Sequence, residues 1–387
     1  MFKKDILIIS TADWDNPIKT NKQYVAKELA NLGHRILYVE SLGMRKIQIG
    51  KRDFKRIIKR IINMTFIVKK KDRNIWVISP LLFPGATTKL IIYINKIILN
   101  LNILIARKFL NFKNDCLWTY NPITCLYINI KKFKTSVYHA VDSIEHQPFM
   151  PKQLINQEEK KLAHSVDEIF ATSQSIFKKL SQYNKKTQFF GNVCDFDHFA
   201  KAPKLRLKKI PNDIKKIKKP IVGFIGSISE YKLDYNLISS VANKLKYVNF
   251  VFIGPTHDSI NKNKLKQLQE IDNIFLLGYR NYELLPNYCA YFDIAWLPIV
   301  HNNYTDSMFP MKFFEYLAAG LPVISTMISS LKDYGDYVSL SNDDNEIVNQ
   351  ITFLLKSENN NIKKRQNLAR LNTYKKRTKL MLKNLNL

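Results

Sequence analysis

A lysine and a glutamate one helical turn apart are the residues of this chain best suited to bind a ligand. Lys312 and Glu315 follow Phe309-Pro310 within the segment TDSMFPMKFFEYLAAGLPVIST, residues 305–326. An i,i+3 spacing puts both side chains on one face of a helix, and the free N–H groups at a helix start attract anions. The ammonium group can pair with a diphosphate, while the carboxylate can accept hydrogen bonds from two neighbouring sugar hydroxyls. The alternative is an ordinary surface ion pair worth about 0.2–0.5 kcal/mol.

The same segment contains the elements that would position this pair. Pro310 suits the first turn of a helix, where its missing N–H costs nothing. Gly320 stands where that helix should end, and Pro322 prevents its continuation. Residues 322–326 then read as a buried strand. The segment therefore predicts a helix whose front end, preceded by Phe309, meets a ligand.

With these surroundings, the segment resembles the donor-binding motif of GT-B glycosyltransferases. The likeness is to the retaining family-four enzymes, and among them to the bacterial surface-polysaccharide and teichuronic-acid branch, which carries F-P-x-K-x-x-E-Y-x-A-x-G-x-P-V. The resemblance implies that Glu315 holds the nucleotide ribose and that Lys312, Pro310 and Phe309 lie at the diphosphate. Many members contact the transferred sugar through a second glutamate eight positions earlier. Ser307 occupies that position here and becomes the expected contact.

The composition is that of a folded protein with an unusually high positive charge. A length of 387 residues suggests two domains or three, and 46% hydrophobic residues suffice for their cores. The four cysteines lack C-x-x-C spacing, so they predict neither a zinc site nor a disulfide framework. The net charge of +29 points to a polyanionic partner. Because no nucleic-acid-binding motif is present, we expect an anionic membrane surface and no nucleic acid.

The first half of the chain predicts a parallel α/β unit. Residues 5–10 read as a strand, 21–32 as a helix and 35–40 as the next strand, which together form a βαβ unit. The first loop carries D-W-D at residues 13–15, a D-x-D tripeptide of the kind that binds manganese in glycosyltransferases of the GT-A fold. Since its context here is a different fold, we expect no metal, and no cofactor beyond the nucleotide-sugar co-substrate.

Three segments bear on membrane contact. The run from Met44 to Arg73 is strongly basic, and over residues 53–64 Ile pairs alternate with Lys and Arg pairs, as in helices that lie on a membrane. The alternative is an Ile face packed on the domain, with solvated bases. Lys89–Leu110 is long enough to span a bilayer, but its charges and asparagines favour a core or surface-lying helix. The basic tail, residues 362–387, predicts a terminal helix that can also meet membrane.

A candidate acceptor site follows the strand predicted at residues 136–141. The sequence YHAVD at residues 138–142 resembles the Y-x-x-V-D segment that faces the cleft in the same polysaccharide branch. At the carboxyl end of a strand, His139 and Asp142 can orient an acceptor hydroxyl or accept its proton. The alternative for a lone histidine is a structural group with its hydrogen bonds satisfied.

The second half of the chain begins a new α/β pattern at residues 220–226, PIVGFIG. In the family this turn approaches the donor phosphates, which implies contacts from Gly226 and, a little later, from Lys232. The stretch from Gly278 through Leu284-Leu285-Pro286 resembles the family's G-x-x-x-x-x-L-P pattern. In the family, the residues after that glycine lie against the nucleobase. Tyr279 would therefore stack on the base or bind it through its backbone. The alternative is an ordinary strand-to-helix loop.

Together these features predict an α/β protein of GT-B architecture, with two Rossmann-like domains facing a central cleft. Residues 1–200 would bind the acceptor, 201–219 would form a linker rich in Lys and Pro, 220–365 would bind the nucleotide-sugar donor, and 366–387 would pack back on the first domain. Since the start lacks the apolar core of a signal peptide, we expect a cytoplasmic protein, peripheral on the inner face of the membrane.

The expected activity is that of a glycosyltransferase of the hexosyltransferase class. It would move a sugar from a nucleotide-sugar to a lipid-linked cell-surface polysaccharide acceptor, without a metal and with retention of configuration. Two alternatives stay open. One is a nucleotide-sugar epimerase or hydrolase with the same fold, which would turn over the donor without an acceptor. The other is a non-catalytic protein that binds polyanions or membranes through its basic surface.

Overall fold

A computed structural model describes residues 3–16, 18–43, 68–83, 88–205, 209–256, 262–357 and 361–385. Their contacts divide the chain into two compact units. The first comprises Met1–Gly191 together with Arg377–Leu387, and the second comprises Asn192–Lys376. Each unit is built on one sheet with helices between its strands.

The first unit is built on an eight-stranded sheet. Its strands are β1 (Asp5–Ile9), β2 (Arg35–Val39), β3 (Lys69–Asp72), β4 (Ile75–Ile78), β5 (Cys116–Thr119), β6 (Thr135–Ala140), β7 (Glu168–Ala171) and β8 (Thr187–Phe189). They lie in the order β3-β4-β2-β1-β5-β6-β7-β8, and among these pairs only β3 with β4 is antiparallel. The central strands are unbroken apolar runs, because helices cover a parallel sheet on both faces.

Helices connect the strands of the first unit, as a parallel sheet requires. Its described α-helices are Asn21–Asn31, Lys89–Leu110, Lys152–Ser165 and Gln174–Ser181, and its 3-10 turns are Thr124–Leu126, Ile130–Lys132 and Ile144–His146. The βαβ unit predicted at the start of the chain is present, since β1 and β2 pair in parallel and flank the helix Asn21–Asn31. Gly33 follows that helix with a φ of +96°, a conformation that glycine adopts without strain.

The helix Lys89–Leu110 is long and apolar enough, by length and composition alone, to cross a membrane, and no second such helix occurs in the described residues. One of its faces is buried in the first unit, through residues such as Leu99 and Ile103. Other apolar side chains, including Leu90 and Phe109, are exposed. In the structure it is therefore a surface helix. By contrast, the amphipathic helix predicted at residues 53–64 lies outside the described residues.

The second unit is built on a six-stranded parallel sheet. Its strands are β9 (Ile221–Ile225), β10 (Asn249–Ile253), β11 (Ile274–Gly278), β12 (Ile294–Leu297), β13 (Val323–Ser325) and β14 (Val338–Leu340). Their order is β11-β10-β9-β12-β13-β14. Its described α-helices are Phe196–Phe199, Asn212–Lys215, Tyr235–Lys244, Lys262–Gln269, Leu285–Cys289, Met311–Ala318, Asp344–Lys356 and Ile362–Leu371, followed by the start of Tyr374–Asn384. The two mostly parallel α/β sheets agree with the predicted fold class.

The division between the units differs from the boundaries predicted from the sequence. Asn192 already belongs to the second unit. The described part of residues 201–219 is not a linker, because Ile210, Ile214 and Ile217 are buried in the core of that unit. These isoleucines recur at helical spacing, and the surrounding lysines and prolines obscure the pattern.

The end of the chain returns to the first unit. Ile362–Leu371 still lies in the second unit, whereas the chain from Arg377 onward belongs to the first. The buried guanidinium of Arg377 donates hydrogen bonds to Asn21 Oδ1 at 2.5 Å and to the carbonyl oxygen of Gly191 at 3.1 Å. Met381 is buried one helical turn later. The last helix therefore completes the core of the unit with which the chain begins.

Candidate functional site

The candidate site of the second unit lies where the strand order of its sheet reverses. β10 and β11 extend on one side of β9, and β12 to β14 extend on the other. Parallel sheets bind ligands beyond the carboxyl ends of their strands at such a switch point. Gly226 directly follows β9 there, and residues 298–310 follow β12. The second loop leads into Met311–Ala318, which we call the K-x-x-E helix.

The K-x-x-E helix is fixed to the sheet by its own side chains. It begins at Met311 with Pro310 as the N-cap residue, in agreement with the predicted helix start. Phe313 and Leu317 are fully buried. The hydroxyl of Tyr316 accepts a hydrogen bond from the backbone N–H of Ile225 at 2.7 Å, which ties the helix to the end of β9. The sequence buries this face because its apolar residues recur at helical spacing.

Lys312 and Glu315 are hydrogen-bonded to each other through Nζ and Oε2. Only 3% of the Glu315 side chain and 24% of the Lys312 side chain are exposed, so this is not the surface ion pair that was the alternative. Removing a carboxylate from water costs several kcal/mol unless a partner compensates it. Lys312 Nζ also lies 5.8 Å from the ring centre of Phe199. The structure thus contains a buried carboxylate and its lysine partner at the start of a helix.

The loop before the K-x-x-E helix is held by side-chain hydrogen bonds. Asn192 Nδ2 donates to the carbonyl oxygen of Phe309 at 2.6 Å. Ser307 Oγ donates to the carbonyl oxygen of Tyr304 at 2.8 Å, and Ser307 is buried. The ring of Phe309 stacks on that of Phe314, with centroids 5.5 Å apart. These contacts fix the position of the helix start, where N–H groups favour an anion.

Three glycines lie side by side at the carboxyl ends of β9, β10 and β11. Gly226 donates its N–H to Ile253 at 2.9 Å, and Gly254 donates to Gly278 at 2.9 Å. Gly254 has a φ of +151°, and a Cβ there would lie 1.7 Å from the Gly226 carbonyl oxygen. Only glycine permits this close approach. The motifs identified from the sequence include Gly226 and Gly278 but not Gly254, whose signal is a glycine directly after an apolar strand.

Two serine hydroxyls and a lysine follow Gly226. The Oγ atoms of Ser227 and Ser229 are buried, and neither has a hydrogen-bond partner in the part of the chain that the structure describes. Lys232 is half-buried, with Nζ 6.0 Å from the ring centre of Tyr304. Buried polar atoms without partners are uncommon in proteins. Two hydroxyl donors and a cation beside a glycine turn suit a ligand with several anionic oxygens.

Tyr279 is 40% exposed directly after β11. Arg280 donates a hydrogen bond to the Tyr279 carbonyl oxygen at 2.9 Å and forms an ion pair with Asp213 at 2.6 Å. Burial tends to raise the pKa of Asp213, but hydrogen bonds from Arg280 and Tyr288 outweigh it and hold that pKa below its usual value. The Tyr279 backbone is therefore fixed, while its ring is accessible to a planar ligand.

In the first unit, His139 and Asp142 lie at the carboxyl end of β6. Asp142 Oδ2 accepts a hydrogen bond from Lys22 Nζ at 3.3 Å, and 28% of the Asp142 side chain is exposed. His139 is fully buried, with its ring centre 4.9 Å from that of Tyr120. Within the described residues, neither ring nitrogen of His139 has a hydrogen-bond partner. A ligand can therefore reach Asp142 in this conformation, whereas it cannot reach the imidazole of His139.

Burial, reinforced by the positive charges of Arg377 and Lys22, lowers the pKa of His139 well below its ordinary 6.5. The native imidazole therefore stays neutral at acid pH, where the unfolded chain binds a proton. We expect the free energy of unfolding to fall as the pH drops below about 6.5. From about pH 7.5 to 5.5 this histidine contributes a loss of about 1.4 kcal/mol. Urea unfolding of the first unit at both pH values measures it.

The variant His139→Leu is the control for this acid sensitivity. Tryptophan fluorescence reports mainly on the first unit, which contains Trp14, Trp76 and Trp118 of the four tryptophans. The variant should lose about 1.4 kcal/mol less than the wild type over the same pH interval. Equal losses in the two proteins would show that His139 is protonated in the native state.

The D-W-D tripeptide and the cysteines are engaged elsewhere or buried. Asp15 forms an ion pair with Lys71 at 2.9 Å. Among the residues that the structure describes, no group of three or more His, Cys, Asp or Glu side chains is arranged to hold a metal ion. All four cysteines are free thiols. In the second unit, Lys312, Lys232 and the helix start are positioned to attract an anion.

Comparisons with known proteins point to one family. Residues 219–357 match the family model described as glycosyl transferases group 1. Over 184 residues the chain is 27% identical to the putative teichuronic acid biosynthesis glycosyltransferase TuaH of Bacillus subtilis (strain 168). That alignment covers 46% of this chain and 45% of the relative, so the match spans about half of the relative's length.

Solved structures share the fold over nearly the whole chain. HepE from Anabaena, solved in complex with UDP and glucose, has a TM-score of 0.69 at 14% identity, with 99% of both chains covered. Sucrose-phosphate synthase from Thermosynechococcus elongatus has a TM-score of 0.67 at 14% identity, with 98% of both chains covered. At this level of identity the likeness speaks for the fold alone, and it confirms the predicted GT-B fold class.

Motif, topology and comparison therefore agree. The matched segment contains the glycine turn after Gly226, the loop at Gly278 and the K-x-x-E helix with Lys312 and Glu315. The predicted resemblance to surface-polysaccharide glycosyltransferases is confirmed. Residues 219–357, which hold the candidate site of the second unit, are thus similar to the group 1 glycosyltransferases, and the whole chain has the GT-B fold.

Proposed function

We propose that this protein transfers a sugar from a nucleotide-sugar donor to a lipid-linked acceptor of a cell-surface polysaccharide. The observation that carries the proposal is the buried Lys312–Glu315 pair at the start of the K-x-x-E helix. A buried carboxylate beside a lysine matches the two halves of a nucleotide, its ribose diol and its diphosphate. HepE, which shares the fold, is solved with UDP and glucose, and TuaH carries a teichuronic-acid name.

Donor binding would replace the contact between Lys312 and Glu315 with contacts from each residue to the donor. On binding, Glu315 accepts hydrogen bonds from the two ribose hydroxyls, and Lys312 turns to the diphosphate. The hydroxyls of Ser227 and Ser229, which have no partner among the described residues, donate to phosphate oxygens, together with Lys232. Charge-assisted hydrogen bonds of this kind contribute about 1.5–3 kcal/mol each. Diphosphate recognition is thereby shared between the turn after β9 and the start of the K-x-x-E helix.

The remaining predicted donor contacts have separate roles. Gly226 and Gly278 let the backbone approach the nucleotide, and the accessible ring of Tyr279 stacks on the base. Ser307 lies in the turn before Phe309 and Pro310, which is the position of the transferred sugar in related motifs. Its hydroxyl already donates its hydrogen to the Tyr304 carbonyl oxygen, so it would contact the sugar as a hydrogen-bond acceptor.

The reaction breaks the bond from the anomeric carbon to the diphosphate and forms a bond to the acceptor oxygen. Negative charge develops on the departing diphosphate, and groups already fixed around it stabilise that charge without reorganisation. Lys312, Lys232 and the helix start supply positive charge, so we propose that transfer proceeds without a metal. Asp142 accepts the proton of the acceptor hydroxyl. The buried His139 would take part only if its imidazole became accessible to the acceptor. We propose that the anomeric carbon retains its configuration, because the chain resembles the retaining family-four enzymes.

Because the proposed acceptor is lipid-linked, the reaction would take place at a membrane. A net charge of +29 favours an anionic surface, and we propose that the protein is peripheral on the cytoplasmic face. The basic run from Met44 to Arg73 and the basic tail at residues 362–387 would contact the headgroups. Nucleic acid is not expected as a partner.

The test is turnover of a panel of UDP-, GDP-, dTDP- and ADP-sugars with a bacterial membrane lipid extract as acceptor, with and without EDTA. We expect one donor class to bind and its sugar to appear on lipid at a rate that EDTA does not change. Donor consumed at the same rate without lipid would indicate an epimerase or hydrolase instead. Adhesion to anionic vesicles without any nucleotide-sugar binding would indicate a non-catalytic polyanion-binding protein.

A further inference from the structure

The surface helix Lys89–Leu110 presents an apolar face to solvent. Seven large apolar side chains along it, with exposed fractions from 43% to 77%, are Leu90, Tyr93, Ile97, Leu101, Leu104, Ile105 and Phe109. Their spacing, mostly of three or four residues, places them on one side of the helix. Isolated exposed apolar residues are ordinary, but a continuous stripe of this length marks an interaction surface.

The opposite face fixes the helix to the first unit. Leu99, Ile103 and Ala106 are buried in the core of that unit. The side chain of Asn95 is also buried, and it bonds both the N–H and the carbonyl oxygen of Phe83 at 2.8 Å. A helix that crossed a bilayer would have to give up these contacts. Because this face is packed, the helix can contact a partner only through its exposed side.

Charge on the same helix indicates the chemistry of that partner. The helix contains no Asp or Glu. Lys89, Lys96 and Arg107 recur at intervals of seven and eleven residues, which places them along one border of the apolar stripe. A fourth cation, the exposed Lys108, lies on the stripe itself near its carboxyl end. An apolar face with a basic border is the pattern of a helix that lies in a membrane interface beside anionic headgroups. A protein partner with an apolar groove would not require this border.

We propose that Lys89–Leu110 docks the first unit on an anionic lipid surface. The helix lies parallel to the membrane, with its apolar stripe among the upper acyl chains and its basic border at the lipid phosphates. This deepens the membrane contact of the proposed function, on which it rests, by assigning that contact to the described helix Lys89–Leu110. Docking itself needs neither donor nor acceptor.

Vesicle flotation of the full chain tests this assignment. The probes are phosphatidylcholine vesicles with and without phosphatidylglycerol. We expect the wild type to float mainly with the anionic vesicles, and Leu101→Gln/Leu104→Gln to bind them at least about 10-fold more weakly. The variant Lys89→Gln/Lys96→Gln should lose most of the preference for phosphatidylglycerol.

The matched control replaces two exposed apolar residues of the second unit, as Tyr247→Gln/Phe353→Gln. It should float like the wild type. Equal flotation of the wild type and the Leu101/Leu104 variant, or equal loss in the control, would overturn the proposal. So would a wild-type dimer that this variant converts to a monomer without a change in lipid binding. Circular dichroism and nucleotide-sugar binding in solution show that the variants are folded, and they test the donor site separately from docking.

Carbonate extraction of membranes that carry the wild-type protein is a further test. Carbonate at alkaline pH releases a protein whose helix lies on the membrane surface, whereas a protein with a spanning helix stays in the membrane. We expect release. Retention that persists in the Leu101/Leu104 variant would contradict docking by one face of the helix.

Discussion

Glu315→Gln should lower nucleotide-sugar affinity at least about 100-fold and turnover by a similar factor. The carboxylate is positioned to accept two hydrogen bonds from the ribose, and each charge-assisted bond contributes about 1.5–3 kcal/mol. An amide of the same size fills the same space without the charge, so the packing around the K-x-x-E helix is retained. Isothermal titration with the donor identified from the panel measures the affinity, and sugar incorporation into lipid measures turnover.

Glu270→Gln is the matched control, because Glu270 also pairs with a lysine of the second unit. That pair, with Lys266, is separated by 4.0 Å, and its side chains are 77% and 63% exposed. Exposed pairs contribute little, so donor binding should not change. Wild-type affinity in Glu315→Gln would show that the buried carboxylate serves the fold alone, and the donor site would then have to be sought elsewhere.

Lys312→Met should reduce turnover about 100- to 1000-fold, in line with the loss of one preorganised group that stabilises developing charge. It should also destabilise the second unit, because Glu315 stays buried without its cation. Breaking a pair that is buried on both sides costs about 3–5 kcal/mol. Lys312 is 24% exposed, so we expect about 1–3 kcal/mol from the same effect. Thermal unfolding and steady-state kinetics measure the two losses separately.

The double variant Lys312→Met/Glu315→Gln separates stability from function. Removing both charges leaves no uncompensated carboxylate, so the double variant should unfold at a higher temperature than Lys312→Met while it remains inactive. Lys266→Met is the exposed control and should resemble the wild type in both measurements. If the double variant were no more stable than Lys312→Met, the pair would not be the source of the stability loss.

The K-x-x-E helix shows what the sequence predicts well. Pro310 before it, Gly320 after it and a phenylalanine-rich inner face specify a helix of one length and one orientation. These signals are local, because each depends on residues within a few positions. The pairing of Lys312 with Glu315 is also local and follows from their spacing. The depth at which Glu315 is buried depends on the sheet beneath it and could not be predicted from the segment.

Contacts between distant residues account for most of what was not predicted. Asn192 holds the Phe309 carbonyl oxygen across 117 positions of the chain, and no local pattern indicates such a partner. That the hydroxyls of Ser227 and Ser229 lack partners within the described residues becomes visible only when their surroundings are known. The interpretation of residues 201–219 as a linker was wrong for a different reason. The lysine- and proline-rich composition of this segment suggested a linker. The helical spacing of Ile210, Ile214 and Ile217 already indicated a segment that packs in a core.

Apolar length alone could not decide the role of Lys89–Leu110. A run of this composition suits a core helix, a surface helix or a spanning helix. Its burial pattern distinguishes them, since Leu99 and Ile103 are covered while Leu101 and Leu104 are exposed. Likewise, the sequence predicts His139 at the end of a strand but cannot show that the imidazole faces the protein interior.

The return of the chain to its first unit also bears on the order of biosynthesis. Arg377, which donates hydrogen bonds to Asn21 and Gly191, follows every residue of the second unit in the chain. The ribosome therefore releases every residue of the second unit before the first unit receives its last helix. In a nascent chain that stops after Gly191, the hydrogen bonds from Arg377 to Asn21 and to the Gly191 carbonyl oxygen cannot form. Synthesis of the whole second unit is thus a condition for completing the unit that emerges first.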